Sequence, residues 1–577
     1  MEQFDVDLAD VTRAVEMCGL FTSLRDEALD DLLGAFDGLR LTTGEVLMRE
    51  GEGADSMYVV RHGRLRATVA DAQGVEVVIG EIGKSEVVGE MAVITDQDRS
   101  ATVYAMRDTD LFRLPAEAFG HLVQRHPEML RPFASVVVNR LRTAMTRPTR
   151  PALPATIVLI PAGHDDCREL AEHLAQLFTD YTCKVLRASD ASGHSHLAAW
   201  LLDIENAIDI SVLVADREPT DWTKLCLRHA DRVLLVADDL TPSSPTQIEA
   251  DPECSARLAE VPLELVMQYE RSPRTSGWLR GRQLDTHYNV RRSSPEDLSR
   301  LARRITGNST VAVLGGGGAR GFAHFGVVRA LKEAGVPIDA IVGTSAGAVV
   351  GGLLARMDDP AEAQRQTIEW FDQARWRRDF NPPSVSFMSG RTMTEGLKEL
   401  ADHFNIEDLP IDFAAVSCDL VTAMPYVHER GPLWQAVRAS GSVPGLFPPL
   451  AIDGHLLVDG GLVANLPIEI ARVRHPNARL IAVDVGDPTD IDLGGLDGSG
   501  VVNGWQRLRS RGSGGASLGR LMMRLTELGR HDSQELADVL ISPDVRGFGL
   551  VETKNAARIA ERGYEAGRRA IESGEVT

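Results

Sequence analysis

Hydrophobic and polar positions divide the chain into stretches of different rhythm. Within residues 1–147, short runs such as "MYVVRHG", "RLRATVAD" and "VEVVIGEIG" alternate between glycine and polar turns. They predict the hairpin strands of a β-roll, with one helix before them and a strongly periodic one after. Leu130, Phe133, Val137, Leu141 and Met145 fall on a single face of that second helix. The stripe can pack onto its own roll or form the seam of a homodimer. "RPTRPALP" follows, and its prolines predict a stiff extended linker over 148–154.

From 155 to 306 the runs become continuous rather than alternating: "TIVLIPAG", "CKVLRAS", "ISVLVAD", "RVLLVAD" and "ELVMQYE". Such runs suit parallel strands buried on both faces, with helices between them. This segment is expected to be a Rossmann-like α/β domain acting as a spacer. It holds no G-x-x-x-x-G-K-[ST], so a nucleotide triphosphatase would lack its phosphate cradle. Residues 307–577 repeat the α/β pattern in "STVAVLGGGG", "IDAIVGTSAG", "DFAAVSCDL" and "RLIAVDVGD". They also contain the loop-like "DLGGLDGSGVVNGWQRLRSRGSGGASLG". The fold class is thus multidomain: a β-roll with helices, then two α/β domains.

Composition narrows the function. A formal net charge of −22 argues against general affinity for nucleic acid. The six cysteines are scattered without a C-x-x-C pair, as expected of buried thiols in a reducing compartment. The N-terminus "MEQFDVDLADV" is acidic and lacks an apolar signal core. No apolar run reaches the roughly 20 residues that span a bilayer. The expected location is cytoplasmic, with any contact at the inner membrane face peripheral.

Two serines sit in G-x-S-x-G, Ser345 and Ser517. Ser517 lies in the Gly/Ser-rich segment with no strand before it. Ser345 follows the apolar "IDAIV" and precedes the small-residue "AGAVVGGLLARM". A strand–turn–helix elbow needs small neighbours, which Gly343 and Gly347 supply. The elbow would lift the hydroxyl to a helix N-terminus, where developing negative charge is favoured. Upstream, Val311–Leu314 runs into Gly315, Gly316, Gly317, Gly318, Ala319, Arg320 and Gly321. Gly316-x-Gly318-x-x-Gly321, with Asp339 about 20 residues on, also satisfies a dinucleotide fingerprint. The alternative is an oxyanion hole of side-chain-free amides, which an elbow serine on the next strand favours.

A serine needs a base. His403, His428, His455, His475 and His531 follow Ser345 in no motif-like setting, and His324 reads as a packed helix residue. "LLVDGGLVANLPI" instead places Asp459 at a strand end before two glycines. A buried aspartate there would have a raised pKa and could accept the serine proton.

Together these three motifs closely resemble the patatin-like phospholipases, above all the bacterial relatives of neuropathy target esterase. "AVRASGSVPGLFPPL" and "VRGFGLVETKNAARIAERGYEAGRRA" are similar to that family too. The resemblance covers roughly 307–577. It implies a carboxylic ester hydrolase with a Ser345–Asp459 dyad and no histidine. Gly316, Gly317 and Gly318 would be oxyanion donors, and Arg320 would organise the loop. No metal or other cofactor is implied for catalysis, and the substrate would be a fatty-acyl ester such as a lysophospholipid, met at a membrane or micelle surface. "IEWFDQARWRRDFNPPSVSF", with Trp370, Phe371, Trp376 and Phe380 beside Arg377 and Arg378, suits either that interface or an ordinary core helix.

Near the N-terminus, Gly89, Glu90, Met91 and Ala92 precede Arg99, Ser100 and Ala101 in "VVGEMAVITDQDRSATV". This resembles the phosphate-binding cassette of cyclic-nucleotide-binding domains. Arg99 would pair the cyclic phosphate of cAMP or cGMP, exposed amides around Gly89–Ala92 would cap its oxygens, and Glu90 would accept from the ribose 2′-hydroxyl. The resulting expectation is a serine esterase modulated by a cyclic nucleotide. The alternatives are a nucleotide-binding scaffold with an inert hydrolase domain and a transacylase.

Overall fold

The computed structural model describes residues 31–70, 76–126, 155–373, 379–380, 385–486 and 534–576 and most of 2–17, apart from single or paired positions (96, 195, 358, 402, 551–552). The Leu130–Met145 stripe, the 148–154 linker, Trp376, Arg377, Arg378, Ser517 and His531 fall outside the described residues. The chain forms two compact units. One holds Met1–Glu270, Gly277–Tyr288 and Arg292–Thr306, and the other Arg271–Ser276, Asn289–Arg291 and Gly307–Thr577.

The first unit begins with the β-roll. A five-stranded sheet orders Glu2–Phe4, Asp37–Leu41, Thr109–Pro115, Ser56–His62 and Val87–Val88. A four-stranded sheet orders Val46–Met48, Thr102–Ala105, Leu65–Ala70 and Glu76–Ile82. Their inner faces share a core of Leu41, Val60, Leu65, Val103 and Leu111. The alternation seen in the sequence is this in–out pleat. A doubly wound sheet follows, in the order Cys183–Leu186, Ile210–Val214, Thr156–Pro161, Arg232–Asp238, Leu263–Tyr269 and Thr286–Arg291. Its central pairs are parallel. Thr286–Arg291 carries no long apolar run, which is why the reading of apolar runs passed over it. Helix Pro295–Ile305 ends the unit and shows how its termini are written. Ser294 caps the Asp297 amide, Pro295 opens the first turn, and Arg303 and Arg304 meet the C-terminal dipole.

The second unit is built on an eight-stranded sheet. Its order is Leu450–Ile452, His455–Asp459, Asp412–Asp419, Ala340–Thr344, Thr310–Leu314, Arg479–Val483 and Val539–Ile541, with Met424–His428 also pairing to Asp412–Asp419. The five strands from Asp412–Asp419 to Val539–Ile541 run parallel. Their side chains are almost wholly buried, as continuous apolar runs require. Helices Phe322–Glu333 and Ala556–Glu572 lie against each other on one face, and glycine sets their separation. A Cβ on Gly326 would stand 1.8 Å from Ala560 O, and one on Gly563 would stand 1.9 Å from Ala323 O.

Helix propensity alone would make Gly563→Ala stabilising by up to about 1 kcal/mol. Steric overlap with a backbone carbonyl reverses the sign. The substitution is expected to destabilise by roughly 1–3 kcal/mol, read as a lower denaturation midpoint. Arg569→Ala, on the exposed side of the same helix, should change stability by no more than about 0.5 kcal/mol.

Candidate active site

Strand register assembles the site. Leu314 lies beside Gly343, Thr344 beside Val416, and Ser417 beside Asp459. The glycine loop after Leu314, the serine after Thr344 and the aspartate opposite Ser417 therefore meet at one edge of the sheet. Ser345 takes φ 55° and ψ −119° between strand Ala340–Thr344 and helix Ala346–Arg356. That is a costly conformation for a residue with a side chain. The turn closes because its neighbours are bare. A Cβ on Gly347 would lie 2.1 Å from Leu314 O, and one on Gly343 would lie 2.4 Å from Gly347 O.

Ser345 Oγ donates to Asp459 Oδ2 at 2.6 Å. The second carboxylate oxygen accepts from the Gly461 amide at 2.9 Å. Asp459 is fully buried, and its desolvation raises the carboxyl to about 6 against the pull of the Ser345 and Gly461 hydrogen bonds. A carboxylate so placed is ionised at neutral pH yet basic enough to accept a proton. His324 Nε2 donates to Gly315 O, 2.8 Å away, and burial pushes it down to about 4. It props the glycine loop as a packed helix residue. His428 pairs with Ser417 and His455 with Asp419, so neither faces the serine hydroxyl as its hydrogen-bond partner.

The glycine loop carries one correction. Gly316 donates its amide to Asn465 O at 3.0 Å, so the oxyanion donor expected there is already spent. Gly317 and Gly318 stand at the start of the short 3-10 turn Gly318–Gly321, where the first amides have no intrahelical acceptor. Arg320 is buried and donates to Phe548 O at 2.9 Å, while Ala319 donates to Leu550 O at 2.8 Å. These bonds tie the loop to the chain after the last strand. Asp339 accepts from the Thr310 amide inside the sheet, so it is committed to the strand and not presented to a ribose.

Sequence reasoning gave no role to the helix Leu433–Ser440. Ser440 Oγ accepts from the Ser345 amide at 2.8 Å and donates to Val416 O. Ser442 O accepts from the Asp459 amide at 3.0 Å. One short segment thus holds the backbone of both the serine and the aspartate. The only signal was its likeness to a family motif, because a bare Ala-Ser-Gly-Ser carries no spacing rule of its own.

A cavity of about 420 Å³ opens beside Ser345. Phe322, Val350, Trp370, Phe371, Leu397 and Leu446 are among the apolar side chains that line it. Trp370 and Phe371, weighed above between interface and core, belong to this wall. Phe380 is exposed.

The cassette near the N-terminus is also in place. Gly89 has φ 80° and precedes helix Glu90–Thr95, Glu90 and Ala92 are buried, Met91 is half-buried, and Ser100 is exposed beside buried Ala101. Arg99 is buried, donating to Gly89 O at 3.0 Å and Ser56 O at 2.7 Å. In the doubly wound sheet, the loop after Thr156–Pro161 is filled by its own chain. Gly163 donates to Val236 O, His164 donates to Asp238, and Arg217 binds the carbonyls of Gly163, His164 and Asp165.

Residues 312–472 match the patatin-like phospholipase family, 39–126 the cyclic nucleotide-binding domain, and 174–294 the neuropathy target esterase family P-loop like domain. The chain is 32% identical to the human patatin-like phospholipase domain-containing protein 6, over 82% of this chain and 39% of that protein. It is 31% identical to the neuropathy target esterase sws of Drosophila melanogaster, over 80% of this chain and 36% of that protein. The chain thus spans about 40% of the length of these relatives. Among solved structures, the cAMP-bound regulatory domain of Toxoplasma gondii PKA is 26% identical, over 20% of this chain and 46% of that one, with a TM-score of 0.20. The three domains in this order place the chain among patatin-like phospholipase proteins of the neuropathy target esterase type, with a cyclic nucleotide-binding domain ahead of the phospholipase domain.

Ser440→Ala removes an acceptor from a buried amide, at a cost of about 1–3 kcal/mol. Because that amide belongs to Ser345, fluorophosphonate labelling of Ser345 should slow by roughly tenfold or more while the protein stays folded by circular dichroism.

Proposed function

We propose that this chain hydrolyses fatty-acyl esters of lysophospholipids through a Ser345–Asp459 dyad, and that a cyclic nucleotide bound at the N-terminal cassette modulates the rate. The observation that carries the first half is the 2.6 Å contact between Ser345 Oγ and the buried Asp459, at the mouth of an apolar cavity. About 420 Å³ lies within the range of small-molecule pockets. Its lining suits an acyl chain and leaves the polar headgroup outside.

In the proposed reaction, Asp459 takes the proton as Ser345 Oγ attacks the ester carbonyl. The Gly317 and Gly318 amides stabilise the oxyanion, and Arg320 keeps their turn in place. The leaving alcohol departs with the proton. Water, activated by the same carboxylate, then releases the fatty acid from the acyl-serine. The work is divided among residues 1–147, the linker 148–154, a relay or spacer over 155–306, and the hydrolase over 307–577. Among the described residues no helix is long and apolar enough to cross a membrane. Substrate would be met peripherally at a membrane or micelle, in the cytoplasm. Supporting the second half, Arg99 and Glu90 are both present at the cassette beside Gly89. The stripe Leu130–Met145 is proposed to pack onto its own β-roll, with a homodimer seam as the alternative.

The primary test is fatty-acid release from lysophosphatidylcholine with and without cAMP, with Ser345→Ala as the blank. Release should vanish in the blank and fall by roughly 10²–10⁴-fold in Asp459→Asn. Failure of a fluorophosphonate to label Ser345 would favour an inert hydrolase domain. Diacyl product from a lysolipid acceptor would favour a transacylase.

Asp459 acts only when unprotonated, so kcat/KM should be flat above neutral pH. It should bend near pH 6 and drop about tenfold per unit below that, as the raised carboxyl protonates. At the cassette, Arg99→Ala should weaken cAMP binding by roughly 10–100-fold in calorimetry. It should also abolish any effect of cAMP on release.

A further inference from the structure

His62, Glu205 and His229 come together inside the first unit, where the β-roll meets the doubly wound sheet. All three are buried. His62 ends strand Ser56–His62, Glu205 lies on helix Leu197–Ala207, and His229 ends helix Asp221–His229. His62 Nε2 stands 2.6 Å and His229 Nδ1 3.0 Å from the same oxygen, Glu205 Oε2. The three atoms lie within 4.8 Å of one another. Strand pairing slips between Val60 and His62, an irregularity of the kind that re-aims a side chain.

The rest of the pocket organises this group. Thr156 Oγ1 donates to the other Glu205 oxygen at 2.7 Å, fixing the carboxylate plane. Lys84 Nζ reaches the carbonyls of Glu205 and Ile208 at the end of that helix. The nearest guanidinium, Arg107, spends its short contacts elsewhere, on Asp231 at 2.8 Å and His229 O at 2.7 Å. It stays 4.0 Å from Glu205. A buried carboxylate is therefore met at hydrogen-bond distance by two imidazoles and an outer hydroxyl, with the Arg107 guanidinium only at the limit of ion-pair range. Charge buried in that way is costly unless it is neutralised nearby.

We propose that His62, Glu205 and His229 bind a divalent transition metal of the zinc class, which clips the β-roll to the neighbouring α/β domain. Two imidazoles and one carboxylate are a usual three-ligand set for zinc, with a fourth position for water. Bonds of about 2.0–2.2 Å would hold tetrahedral donors roughly 3.3 Å apart. A small rotation of the Glu205 carboxylate, still held by Thr156, opens the present 2.6 and 3.0 Å spacings to that size. The outer hydroxyl is the kind of support that orients a metal-bound carboxylate. The site is independent of hydrolysis at Ser345.

The test is metal uptake by the tag-free, EDTA-stripped full chain. Cobalt(II) is added first and then displaced by zinc. One equivalent of cobalt per chain is expected, with the visible absorption of a low-coordinate site. One equivalent of zinc should displace it and raise Tm. Glu205→Gln and His62→Gln, which keep polar groups in the pocket, should lose both the absorption and the Tm rise. No stoichiometric uptake by the wild-type chain would make the cluster a hydrogen-bonded contact only and overturn the proposal. Uptake unchanged in His62→Gln would put the metal on other donors, such as the cysteines, and overturn it equally.

Discussion

The phospholipase domain turns on a serine held where its backbone does not rest. A residue at φ 55° and ψ −119° stores about 1–3 kcal/mol, and the fold must over-determine it. The structure does so from three sides. Leu314 O blocks any side chain at Gly347, Ser440 pins the Ser345 amide, and strand register brings Asp459 to the hydroxyl. The parallel sheet is rigid enough to bear this because its strands are buried on both faces. The same burial removes water from Asp459 and lifts its carboxyl to about 6. Strain at Ser345 and basicity at Asp459 are thus two results of one packed sheet edge.

Where the sequence was legible, a short-range rule made it so. Continuous apolar runs marked Thr156–Pro161, Arg232–Asp238 and Thr310–Leu314 because both faces of those strands are covered. Ser345 stood out because strand, glycines and small-residue helix fall within a few positions of one another. Gly316 shows where such rules end. Four consecutive glycines look equivalent in sequence, yet one amide is spent on Asn465, some 150 residues away, and only the fold reveals it. Ser440 was silent for the same reason. Its work is done on the backbone of a residue 95 positions earlier.

The buried cluster at His62 was beyond sequence for a stronger reason. Its members are 143 and 24 residues apart, on elements of two different domains, so no spacing pattern could join them. What exposes the group is the fold itself, which brings two imidazoles to one oxygen of a buried carboxylate.

One strand connects that cluster to the cassette. Ser56, at its start, accepts from Arg99, and His62, at its end, meets Glu205. A phosphate competing for Arg99 would loosen the hold on Ser56 O, while anything gripping His62 would fix the other end. A ligand shifts a conformational equilibrium only by its difference in affinity for the two states. For that difference to reach beyond the roll, the strand must move against a partner that does not. With His62 held by Glu205 and His229, displacement at Ser56 would have to be taken up within the strand, at the register slip between Val60 and His62. With His62 released, the strand could shift as a whole. A hold on His62 would therefore confine a displacement at the cassette to the strand, up to that register slip.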